Sequence, residues 1–187
     1  MQDRFKELSE AALGELTEVF DRMDDSSVRE FLRLIKKSER IFLLAAGREG
    51  LATRAFAMRL MHLGKKAYWI WDDTTPSIGK GDLMICACGS ANVGHENYVA
   101  QMAKDNGAVL ALITPSNAGQ LLSISDLVVD LPAAAYKAVG EFVPSSQLMG
   151  NLFEQALFIF YDIIVMMLQE ETGVTQEEMT GRHRNVE

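Results

Sequence analysis

A chain of 187 residues, 48% hydrophobic and 24% charged, has the length and composition of one α/β domain with a full core. Its 18 Lys and Arg against 26 Asp and Glu leave a formal net charge of −8, and no basic run occurs. Both facts argue against nucleic acid and against an anionic membrane surface, which are bound through clustered cations.

The opening MQDRFKELSEAALGEL is acidic from its third residue and has no apolar stretch, so no signal peptide is expected and the chain reads as cytoplasmic. Residues 2–38 carry helical periodicity in two halves that break at DRMDDSS. There Ser27 is expected to cap the second half, with Glu30 completing a capping box. Then the period changes. RIFLLAAG (40–47) is a continuous apolar run ending in a glycine turn, the pattern of a parallel strand covered on both faces. Helix is expected over 51–63, strands over 67–71 and 82–89, and helix over 95–106. A strand over 109–114, a short helix over 118–123 and a last strand over 126–131 follow.

After a looser segment containing Pro132 and Pro144, a long helix starts near Leu148. Its run LFEQALFIFYDIIVMML is interrupted by Glu154, Gln155 and Asp162, which fits a core or interface helix better than a membrane span. Thr175 and Glu178 form a second capping box for a short C-terminal helix. The sum is a three-layer α/β/α fold around a five-stranded, parallel, doubly wound sheet. One domain spans the chain: helices over 1–38, the sheet core over 39–170 and a tail over 171–187.

Ligands of such sheets bind beyond the carboxyl ends of the strands, at the switch point. The tip AAGREG holds Gly47, Arg48 and Glu49; its glycines admit a close backbone approach, and Arg48 suits a phosphate. It reads equally as a plain strand-to-helix turn. The tip DDTTPSIGKGD offers Thr74, Thr75 and Ser77, whose commoner role is to close the turn itself. The tip CACGSANVGHEN offers Ser90 and Asn92 at a helix start, while His95 reads as a surface residue.

Cys86 and Cys88 alternate on one strand, where a disulfide would be strained, and no other cysteine completes a metal site. No cofactor or metal is expected. Glu154 stands near the start of an apolar helix, either as a buried candidate base or as a carboxylate favoured by the helix dipole. His183, in the tail GRHRNVE, reads on its own as solvated.

GREG, AFAMRLMHLGKKAYWIWDDTTPSIGKGDL and GVTQEEMTGRHRNVE together resemble the 6-phospho-3-hexuloisomerases, a branch of the sugar isomerase (SIS) domain superfamily. The resemblance implies a flavodoxin-like sheet, assembly as a homodimer or homotetramer, and a sugar-phosphate isomerisation through an enediol without cofactor. It makes Glu154 the base, with His183 or His62, from the same or a neighbouring subunit, assisting at the sugar oxygens. It places Gly47, Arg48, Glu49, Thr75, Ser90 and Asn92 around the phosphate and sugar.

Two loops depart from the family pattern. Where relatives commonly read GRSG this chain has Glu49, and where they read SGSGET it has Cys88-Gly89-Ser90-Ala91-Asn92-Val93. A phosphate about 4 Å from an ionised Glu49 would be repelled by roughly 2–4 kcal/mol per charge pair. An amino sugar, or binding without turnover, are the alternatives that this edited donor set raises.

Overall fold

The computed structural model describes residues 2–186. Two amphipathic helices open the chain, α1 (Gln2–Asp21) and α2 (Asp25–Lys37). The break between them falls where the sequence puts it, but the cap differs. Asp24 rather than Ser27 is the N-cap, its carboxylate accepting the Ser27 N–H at 3.0 Å. Glu30 forks onto Arg33 instead of returning to the cap, at 2.6 and 2.5 Å. An aspartate caps as well as a serine, and its charge adds an attraction to the helix N-terminus.

Strand β1 (Arg40–Leu44) leads to α3 (Gly47–His62), β2 (Lys66–Trp69) and β3 (Leu83–Ala87). Then come α4 (Gly94–Asp105), β4 (Val109–Thr114), α5 (Gln120–Ile124) and β5 (Leu127–Asp130). The chain ends with α6 (Asn151–Thr172) and α7 (Gln176–Gly181), the latter capped by the expected Thr175–Glu178 box. All five strands are parallel, in the order β2-β1-β3-β4-β5.

Alternation along the buried strands divides the core between two faces. Ile41, Leu43, Leu83 and Ile85 join α2, α3 and α6 on one face, while Phe42, Leu44, Met84 and Cys86 join α4 and α5 on the other. At the far end of the sheet Arg40 forks onto Asp82, at 2.8 and 2.6 Å, and locks β1 to the start of β3. By length and composition α6 could cross a membrane, yet half of that stretch is buried in this core. Its remaining stripe, Phe158, Ile159, Ile163 and Met166, is exposed.

Candidate active site

The helix after β1 packs on one face and the helix after β3 on the other, so neighbouring strands send their chains apart. A crevice opens there, between the first turns of α3 and α4. Loop 135–150 and the first turn of α6 close it into a cavity of about 480 Å³. Gly47, Arg48 and Glu49 line it from α3, Ser90, Asn92 and Glu96 from the β3–α4 side, and Lys137 and Glu154 from the closing segments.

The local backbone is strained where it meets this cavity. The non-glycine residues at positive φ among the described residues are Ala91 (51°), Lys137 (60°) and Met149 (56°). Lys137 and Met149 line the cavity, and Ala91 sits between two residues that do. Left-handed non-glycine residues cost about 1 kcal/mol or more each and cluster where function over-determines the backbone.

Three carboxyl groups meet at the cavity. Glu49 turns inward and takes the Gly89 N–H on both oxygens, at 3.2 and 3.3 Å. Burial first, then Glu96 and Glu154, push its pKa from the ordinary 4.5 up to about 8, against the Gly89 hydrogen bond. Glu96 is fully buried in the first turn of α4, and neither of its oxygens has a hydrogen-bond partner. Burial raises its pKa; the Cys88 thiol and then His95 favour the ionised form but do not offset it. The third, Glu154, pairs its Oε2 with Arg48 Nε at 2.5 Å, the carboxylate 17% exposed and the guanidinium 61%.

The thiols are passive. Cys86 and Cys88 are both buried and free. Burial, with Glu96 next, pushes Cys88 up to about 12 and Cys86 well above the usual thiol range. Among the described residues no three His, Cys, Asp or Glu side chains form a metal-binding group.

Six residues singled out from the sequence therefore come together: Gly47, Arg48, Glu49, Ser90, Asn92 and Glu154. Thr75 does not join them. Its hydroxyl donates to the Trp69 carbonyl at 2.6 Å and closes its own turn. His62 and His183 do not join them either, within one chain. His62 lies thirteen residues after Glu49 on α3, about 20 Å along a helix axis. There it stacks on His183, ring centroids 5.2 Å apart, beside a separate cavity of about 110 Å³. Arg182 Nη1 pins the tail by donating to the His62 carbonyl at 2.9 Å.

Sequence reasoning passed over Glu96 and Lys137. For Glu96 a signal existed. Counting back from Ala103 and Ala100 at helical spacing places Glu96 on the buried face of α4. Lys137 sits in an irregular loop, where no periodicity marks which side chains face inward.

Residues 34–158 match the SIS domain family. The chain is 37% identical over 173 residues to a 3-hexulose-6-phosphate isomerase of Mycobacterium gastri, covering 92% of this chain and 86% of the relative. A 3-hexulose-6-phosphate isomerase of Bacillus subtilis is 35% identical over 153 residues, covering 82% of this chain and 83% of the relative. Among solved structures, a hypothetical protein from Methanococcus jannaschii, whose structure was taken to infer a 3-hexulose-6-phosphate isomerase function, is 28% identical with a TM-score of 0.83. That match covers 97% of this chain and 99% of the other. A strand order of 2-1-3-4-5, a cavity at its switch point and these relatives agree: the chain belongs to the SIS domain family.

Proposed function

We propose that this protein is a sugar-phosphate isomerase that moves a carbonyl between adjacent carbons of a phosphorylated ketose or aldose, as the relatives named 3-hexulose-6-phosphate isomerase do. The observation that carries the reading is the position of Glu154, a carboxylate held on the wall of the switch-point cavity by one ion pair.

In this reading Glu154 removes the proton from the carbon beside the carbonyl. The C–H electron pair becomes the C=C bond of an enediolate, and the carbonyl π pair moves to oxygen, which takes up a proton. Reprotonation at the other carbon, with loss of its neighbour's hydroxyl proton, leaves the carbonyl shifted by one position. Arg48 orients the base. Lys137, Ser90 and Asn92 line both this cavity and a smaller one of about 220 Å³ beside it. Lys137 makes no ion pair among the described residues and lies over the Tyr136 ring, so it is the cation left for the substrate phosphate.

His62 and His183 take part only in an assembly that brings this end of α3 to another copy's cavity. The exposed apolar stripe on α6 supports such a homo-oligomer; light scattering on the purified protein measures it. A cytoplasmic location accompanies this reading.

Arg48 already occupies Glu154, which favours a second reading, binding without turnover. Incubation with D-fructose 6-phosphate separates the two. Appearance of a second ketose phosphate supports the isomerase, and saturable binding with no product supports the binding module.

A further inference from the structure

The loop N–H that a ligand anion would seek at this switch point is already taken, by the chain's own Glu49. A second carboxyl, Glu96, faces the same cavity from the opposite helix, fully buried, with no N–H or O–H donor on either oxygen and only the weakly donating Cys88 thiol beside it. Burying a carboxyl without a partner is costly, so such a group calls for a donor that arrives from outside the chain. Among the described residues no Lys or Arg forms an ion pair with Glu96: Arg48 serves Glu154, and Lys137 lines the cavity without an ion pair. The cavity wall thus carries two carboxyl groups without a cationic partner and one lysine without an anionic one. A dianionic phosphate between Glu49 and Glu96 would find its backbone donor blocked by Glu49 and would meet repulsion from whichever carboxyl is ionised.

We propose that Glu49 and Glu96 form a subsite for a hydrogen-bond-donating end of the substrate, a sugar hydroxyl or an ammonium group, and that this end of the cavity excludes phosphate. The substrate then lies with its phosphate toward Lys137 and its donor groups between the two carboxyls. Glu49 carries a proton around neutral pH, so it can also donate to a sugar oxygen while Glu96 accepts. The identification of the ligand as a sugar rests on the isomerase reading; the carboxyl subsite does not.

Binding without turnover tests it. Glucose 6-phosphate, glucosamine 6-phosphate and inorganic phosphate are titrated calorimetrically into the purified protein and into Glu96→Gln and Glu49→Gln. The expected result is at least ten-fold weaker sugar-phosphate binding in Glu96→Gln, with no inorganic phosphate bound by the unsubstituted protein at the carboxyl end. A preference of ten-fold or more for glucosamine 6-phosphate assigns the donor as ammonium; equal affinities assign it as hydroxyl. Sugar-phosphate affinities unchanged in both variants would overturn the proposal. So would inorganic phosphate that competes with the sugar phosphates in the unsubstituted protein and binds less tightly to Glu49→Gln. Tight, carboxyl-dependent binding without any product would sink the isomerase reading and leave the subsite standing. Both variants keep the side-chain shape and remove a buried titratable group, and both are expected to fold. If one does not, the other decides: sugar-phosphate affinity unchanged in the variant that folds overturns the proposal.

Discussion

Arg48 Nε and Glu154 Oε2 lie 2.5 Å apart and join the first turn of α3 to the first turn of α6 across the mouth of the cavity. The pair separates two cavities of about 480 Å³, the polar one at the switch point and an apolar one lined by Leu16, Leu51, Phe158 and Ile159. A carboxylate at such a boundary can rotate toward either, and the guanidinium decides which way it points. Arg48→Ala is expected to lower kcat about 10- to 100-fold with a smaller change in KM, because a misplaced base slows proton transfer more than it weakens binding. Arg48→Lys should recover part of the loss. Steady-state kinetics on the two variants checks both statements.

Glu49 predicts an unusual dependence of stability on pH. Its folded pKa of about 8 lies above the ordinary 4.5, so the folded protein binds the extra proton. The stability tied to that proton is complete below 4.5 and is lost as pH rises toward about 8, by about 1.4 kcal/mol for each unit of pKa difference. Urea denaturation at pH 5 and pH 8 should show a clear fall in midpoint for the unsubstituted protein. Glu49→Gln should flatten most of it, leaving the smaller fall due to Glu96.

Gly89 tolerates no side chain. A Cβ there would meet Ala135 Cβ at 2.7 Å and Glu49 Oε1 at 2.9 Å. Gly89→Ala must displace Glu49 or the 135 loop, and a cost of about 1–3 kcal/mol is expected, as for overpacking elsewhere. Thermal denaturation reads the loss, and the pH dependence assigned to Glu49 should shrink with it.

Glu15 on α1 holds the loop that precedes α6. Its carboxylate takes hydrogen bonds from Ser145 Oγ (2.6 Å), Ser146 N (2.8 Å), Ser146 Oγ (2.7 Å) and Gln147 Nε2 (3.0 Å). Burial is the largest single influence and raises its pKa, but the four donors together outweigh it and bring it down to about 2. The stability they add is present above 4.5 and fades as pH falls toward 2, the opposite sign to Glu49. Glu15→Ala is expected to cost about 1 kcal/mol and to speed amide exchange at Ser146 and Gln147. Unchanged exchange there would show that the loop is held by something else.

The parallel sheet was legible in the sequence because short apolar runs alternate with amphipathic ones, and β4 falls on Val109–Thr114 as read. Caps were less so: Asp24 and Ser27 both qualify in DRMDDSS, and the structure starts α2 one turn earlier, with Asp24 as the cap and Ser27 as its donor. For the site, the loop residues Arg48, Glu49, Ser90 and Asn92 follow from position after a strand. Thr75 failed because a hydroxyl on a tight turn satisfies its nearest carbonyl first. His62 and His183 came from resemblance, which carries residue identity but not the helix length that separates them from Glu154. Glu96 was hidden by its neighbour His95, the more obvious chemical group, although the periodicity of α4 points inward at Glu96.

The most direct test follows deuterium. The protein is incubated with D-fructose 6-phosphate in D₂O, and proton NMR monitors the hydrogen on the carbon beside the carbonyl, with Glu154→Gln in parallel. Solvent deuterium is expected at C3 of recovered fructose 6-phosphate, with a loss of that exchange by about 10²- to 10⁴-fold in a folded Glu154→Gln protein. Exchange that persists undiminished in Glu154→Gln would contradict the assignment of Glu154 as the base.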